Sequence, residues 1–129
     1  MAAFTFDLSQ TPLIVVEYPD DVRASDYDVL FAQYRVLCGA HQRIAWIVDF
    51  RRVNPLSATP ELRKKAADCF AESRDVLQRS TVCEARVVDN LAARAVLIAF
   101  DWLTGTKWPT KNFGTRAAAE RWCREQLSL

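Results

Sequence analysis

The chain has 129 residues, 50% of them apolar and 26% charged, with 17 Lys and Arg against 16 Asp and Glu and a formal net charge of +1. That length suits one domain with a core of its own, since a chain of this size buries about two-thirds of the surface it exposes when unfolded. The composition is that of a globular protein rather than a disordered tail. Balanced charge argues against the basic footprint that phosphate-backbone binding requires.

The opening MAAFTFDLSQ has neither a basic start nor a long apolar segment, and no apolar run approaches the roughly 18 residues of a transmembrane helix. A cytoplasmic protein without a membrane span is expected. Cys38, Cys69, Cys83 and Cys123 are scattered without a C-x-x-C pair, and the lone His41 falls in an expected turn. Zinc needs clustered ligands, so the thiols are expected to be reduced and to act as small hydrophobes.

FTFDL alternates Phe4, Phe6 and Leu8 on one face, SQT turns, and PLIVVEY reads as a second strand rich in β-branched residues. Strands joined this tightly are antiparallel, so the fold begins with a hairpin whose first strand lies at an edge. Ser25-x-x-Asp28 has the form of a capping box. Tyr27, Leu30, Phe31, Tyr34, Leu37 and Cys38 then follow helical spacing, with Gly39 as the expected left-handed stop.

A third strand over 44–50 ends in Asp49 and empties into a polar loop. Thr59-Pro60-Glu61 supplies an N-cap, a proline at the first helical position and an acid in the first turn. The helix that follows should reach about Gln78, with Leu62, Ala66, Cys69, Phe70, Ser73, Val76 and Leu77 inward and mixed charges outward.

TVCEARVV reads as a fourth strand, and Asp89 or Asn90 caps a third helix ending at Gly105. Arg94 and Asp101 are the only charges of that helix, so it should be covered on more than one side, by its own domain or by a second copy through Val96, Ala99 and Trp102. KWPTKNF gives a short edge strand. Thr115 caps a final helix with Ala119, Trp122, Cys123, Gln126 and Leu127 inward.

No repeat or linker interrupts the chain, so residues 1–129 are read as one domain. The fold class is α/β: a single mixed five-stranded sheet, an N-terminal hairpin followed by mostly parallel strands, with four helices.

Four strings in this order, LIVVEYPDDVRASDYDVLF, IAWIVDF, ARVVDNLAARAVLIAF and KNFGTRAAAERWCREQL, resemble the SpoIIAA-like branch of the STAS superfamily. The similarity spans nearly the whole chain. It implies the fold of anti-sigma-factor antagonists, which is also compared with lipid-binding SEC14 domains, and a regulatory rather than enzymatic role. In anti-sigma-factor antagonists an acid-serine pair after the third strand is a phosphorylation switch. The matching stretch here, 53–59, has Ser57 and Thr59 but no Asp-Ser pair, so the switch is not implied; Thr59 is accounted for as a helix cap.

In open α/β sheets ligands and partners gather beyond the carboxyl ends of parallel strands, where helix N-termini converge. Arg51, Arg52, Asn54, Ser57 and Thr59 leave the third strand there, and Asn90 and Arg94 leave the fourth. These residues are the expected site for a protein partner, with guanidinium groups offering bidentate contacts to an anionic surface. The plainer alternative is that Arg51 or Arg52 pairs with Asp49 or Asp89.

A second expectation is a carrier or sensor of an apolar or amphipathic small molecule, on account of the wide apolar third helix and Trp46, Trp102, Trp108 and Trp122. No cofactor, metal or catalytic residue is expected. With only Gly39, Gly105 and Gly114 the chain has no phosphate-cradling loop, and it lacks G-x-S-x-G. Cys83, in mid-strand, reads as core rather than nucleophile.

Overall fold

A computed structural model describes residues 4–54, 58–105 and 107–128, with the backbone alone at 100 and 102–104. The elements run β1 (Thr5–Gln10), β2 (Leu13–Glu17), α1 (Ala24–Ala40), β3 (Ile44–Asp49), α2 (Pro60–Ser80), β4 (Thr81–Val87), α3 (Leu91–Thr104), β5 (Thr110–Phe113) and α4 (Arg116–Leu127). The five strands form one sheet in chain order, β1-β2-β3-β4-β5. β1 pairs antiparallel with β2, and the remaining pairs are parallel.

This order fixes the layers. Each crossover from β2 onward moves one strand in the same direction, and parallel crossovers are right-handed, so successive crossover helices lie on one face. Accordingly α1 and α2 pack on Ile14, Val16, Trp46 and Val48, while α4 covers Leu13, Val15, Ala45, Ile47, Cys83 and Ala85 on the other face. β2 and β3 are therefore covered on both sides, which is why LIVV and IAWIV read as uninterrupted apolar runs.

α3 differs from the other crossover helices. Ala93 and Leu97 anchor it to Val88 and Phe50, and it packs along α2 more than on the sheet itself. Among the described residues its outer side is left exposed: Leu91 is 82% exposed and Ile98 49%. The expected coverage on more than one side is thus not supplied by this domain. Of the three residues expected to face outward, Ala99 is exposed, Val96 is half-buried, and the side chain of Trp102 lies outside the described residues.

The helix ends follow local chemistry, with three corrections. Thr59, Asn90 and Thr115 cap α2, α3 and α4 through their side-chain oxygens, and Gly105, at φ 62°, ends α3 in the left-handed region where a side chain is disfavoured. α1 starts earlier than the Ser25-x-x-Asp28 pattern suggests: its cap is Arg23, whose backbone N–H donates to the Asp26 carboxylate at 2.8 Å. Asp28 is instead free to meet Lys65 of α2 at 2.8 Å. Gly39 does not stop α1, which continues to Ala40, and α2 continues past Gln78 to Ser80.

All four cysteines are buried and unbridged. Among the described residues no helix is long and apolar enough to cross a membrane.

Candidate functional site

Two features meet at the carboxyl rim of the sheet. The first is the rim itself. Parallel pairing sets Asp49 beside Val87, the Phe50 N–H donates to the Val87 carbonyl at 3.0 Å, and the Val88 N–H donates to the Phe113 carbonyl at 2.8 Å. The loops after β3 and β4 therefore leave side by side, and the capped starts of α2 and α3 follow from them. Thr59 accepts from the Leu62 N–H at 3.2 Å, and Asn90 accepts from the N–H groups of Ala92 and Ala93 at 2.8 and 3.2 Å.

The structure brings together the rim residues that the sequence marks, but it changes their chemistry. Arg51 closes onto Asp49 through two guanidinium nitrogens, the shortest contact being 2.7 Å. Arg52 pairs with Asp20 at 2.9 Å, both exposed, an arrangement that contributes little to stability. Arg94 turns back to donate to the Val88 carbonyl at 3.4 Å, and its Nε is buried without an acceptor. Asn54 is exposed, and Ser57 lies outside the described residues. Arg51 and Arg52 are thus engaged within the chain rather than presented as an open cationic fork.

Asp49 organises this rim. It is nearly fully buried and receives Arg51 from its own loop and Arg116 from the first turn of α4 at 3.1 Å, while Arg116 also reaches Glu17 at 3.3 Å. Burial pushes the Asp49 carboxyl upward, but the hydrogen bonds from Arg51 and Arg116 outweigh it and hold the group below the usual carboxylate range. Arg116 is legible only as the first residue of a helix; its reach across the sheet to Asp49 is a tertiary fact with no local signal.

The second feature is a cavity of about 150 Å³ between the sheet and the helices α1, α2 and α3. It lies where α3 packs along α2 more than on the sheet. Trp46 and Val48 of β3 floor it, and Tyr18, Tyr34, Phe50 and Trp108 are among the aromatic residues that wall it. Val53, Ala58, Leu62 and Arg63 line its outer end, so the loop leaving β3 and the first turn of α2 form both the rim and the mouth.

Two charged residues point into this apolar space. On β4, Cys83, Ala85 and Val87 face α4, so Glu84 and Arg86 face the cavity. Arg86 is only 4% exposed. Its Nε donates to Glu84 at 2.7 Å, and its two terminal nitrogens form a fork to both oxygens of Asp101 on α3, at 2.8 and 2.7 Å. The Trp108 indole N–H donates to the other Glu84 oxygen at 3.1 Å. Burial disfavours the charge on Arg86, but Glu84 and Asp101 outweigh it and keep the guanidinium charged. This triad ties α3 to the sheet where apolar packing is thin.

Burial also pushes the hydroxyls of Tyr18, Tyr27 and Tyr34 upward, and the Glu84 charge adds to the effect at Tyr18 and Tyr34. These phenols stay protonated. Among the described residues no cluster of His, Cys, Asp or Glu could hold a metal ion.

The sequence reading names Trp46 and Trp108 but misses Tyr18, Tyr34, Glu84, Arg86 and Asp101. A signal for the charged pair is present in TVCEARVV: acid and base at alternate positions of a strand with neighbours on both sides must face either bare solvent or a polar pocket. No protein-family model matches this chain, and no curated protein or solved structure shows significant similarity to it.

Proposed function

We propose that this protein is a non-enzymatic regulatory module of STAS-like fold that takes up an apolar small molecule in the cavity beneath α3. The observation that carries the proposal is the shared wall: the loop after β3 lines the mouth of the aromatic cavity and also forms the rim where the two parallel strands exit. Ligand pockets are concave and mostly apolar, with a few placed polar groups, and an apolar cavity of about 150 Å³ is large enough to admit a single aromatic ring. A molecule seated there would stabilise the loop and the first turn of α2, so that occupancy is displayed at the surface.

Toluene tests the uptake step. Titration followed by amide chemical shifts should perturb residues around Val48, Phe50, Ala66 and Leu97, and Ala66→Leu, which fills part of the space, should weaken binding at least tenfold. A wild-type protein unaffected by toluene, or an equal response from Ala66→Leu, overturns the cavity as a binding site.

The rim supports a second reading, the docking of a protein partner around Arg51, Arg52, Asn54, Thr59, Asn90 and Arg94. Two adjacent strand exits and two helix N-termini on one small area favour it. Affinity capture with wild type and with the Arg52→Ala/Arg94→Ala double variant should recover a partner with the first only. Unchanged recovery by the double variant would place any partner elsewhere.

A further inference from the structure

The charges on the cavity wall narrow the chemistry of what it takes, a step that rests on the cavity being the binding site. Three charged side chains line it: Arg63, Glu84 and Arg86. Glu84 and Arg86 bind each other at 2.7 Å, and Asp101 holds the terminal nitrogens of Arg86. Arg63, exposed at the mouth, is the charge left over.

Its isolation follows from the sequence around it. On a helix, side chains pair with those three and four positions away. Lys64 finds Asp68 in this way at 2.7 Å, and Lys65 reaches Asp28 of α1 at 2.8 Å. The corresponding neighbours of Arg63 are Thr59, Pro60, Ala66 and Ala67, none of them an acid. Glu61, two positions back, lies on the opposite side of the helix. Asp20, across the mouth loop, is held by Arg52. Every acidic side chain of the chain lies among the described residues, and none of them forms an ion pair with Arg63.

An unpaired arginine is ordinary on a surface, but this one shares a wall with apolar space. Leu62 and Ala66 beside it on α2, and Val53 and Ala58 from the loop before, line the same cavity. A molecule whose apolar body fills the space beneath α3 therefore ends at a cation. The reverse insertion is unfavourable. A carboxylate beside Arg86 would be the third acid around one guanidinium whose donors are already engaged, and would leave water without adequate pairing.

We propose that the cavity takes small amphipathic acids, apolar body first, and that Arg63 receives their single negative charge at the mouth. The volume of about 150 Å³ limits the body to one aromatic ring or its equivalent, and a carboxylate is the simplest head.

Four probes with one ring each separate the possibilities: toluene, phenylacetate, its uncharged counterpart phenylacetamide, and phenethylamine. Each is titrated at neutral pH and low salt, by NMR or calorimetry, against wild type, Arg63→Gln and Arg63→Glu. Phenylacetate should bind wild type about two- to fivefold tighter than phenylacetamide, the effect of one solvent-facing ion pair, and high salt should close that gap. Arg63→Gln should abolish the preference for the acid, and Arg63→Glu should transfer it to the amine. Toluene affinity should stay within about twofold in both variants, because the apolar wall is untouched. Phenylacetamide binding as tightly as phenylacetate, or a preference for the acid that survives Arg63→Gln, overturns this inference while leaving the cavity a binding site. Failure of toluene to bind wild type overturns the cavity reading and the inference with it.

Discussion

The two faces of the sheet are built to different rules. Beneath α4 the centre of the sheet carries small and medium apolar side chains, Leu13, Val15, Ala45, Ile47, Ala85 and Cys123, all essentially buried, with Phe113 and Trp122 at the margin; its charged groups, Asp49 and Arg116, sit at the rim, and Cys83 and Cys123 touch with sulfurs 3.9 Å apart. Beneath α1, α2 and α3 many side chains are large and aromatic, β4 contributes the buried Arg86 and the half-buried Glu84, and the packing leaves a cavity. Close packing is the ordinary state of a protein interior.

That contrast can be broken by mutation. The largest effect is expected from Arg86→Leu, which leaves Glu84 and Asp101 without their shared partner and should destabilise by about 3–5 kcal/mol, read from the urea midpoint. Replacing all three, Glu84→Leu with Arg86→Met and Asp101→Leu, should recover most of that loss, because no unpaired charge remains. A triple variant as unstable as the single one would show that the charges themselves hold the fold.

On the packed face Ile47→Ala should cost about 2–5 kcal/mol through the cavity it creates. A sharper comparison comes from one substitution made on each side. Ala85→Leu, beneath α4, should destabilise by about 1–3 kcal/mol by overpacking. Ala66→Leu, which grows into existing space, should change stability by less than about 1 kcal/mol. Equal costs at the two sites would mean that the faces do not differ in packing.

The smallest effect is at the rim. The folded-state pKa of Asp49 is depressed, so its contribution is fully present above the unfolded value of about 4 and is lost as pH falls through the folded value. Wild type should lose stability below about pH 4, and Asp49→Asn should flatten that part of the profile while lowering stability at pH 7. An unchanged acid limb in Asp49→Asn would assign the pH dependence to other carboxylates.

Most of the fold is legible in the sequence because its signals are local. Caps at Thr59, Asn90 and Thr115, the stop at Gly105, and continuous apolar runs at 13–16 and 44–48 each carry their own physics. The errors are local too. At the start of α1 the neighbouring Arg23–Asp26 pair competes with Ser25–Asp28 for the cap, and spacing alone does not rank two patterns two residues apart. Gly39 reads as a stop, yet glycine tolerates helical backbone, and α1 is held to Ala40 by the buried Leu37 and Cys38.

The rim was legible in its position but not in its ion pairing. Strand direction places Arg51, Arg52 and Asn90 on a shared rim, but which acid each arginine meets depends on contacts 32 or 67 residues apart, as in Arg52–Asp20 and Arg116–Asp49. The wide apolar α3 and the tryptophans point to an apolar pocket, but its place and lining have no local signature: they depend on the Arg86–Asp101 pair, Phe50 and α2, which together hold α3.

The strand order has a consequence for biosynthesis. Because every strand pairs with the one made before it, the sheet can grow outward in step with translation, and each crossover helix can dock as its strand is added. α4 is the exception: it emerges last, yet it shields Leu13 and Val15, which were synthesised about a hundred residues earlier. Throughout that interval the nascent chain carries a greasy underside, so loss of α4 is a route to aggregation rather than to a smaller folded domain.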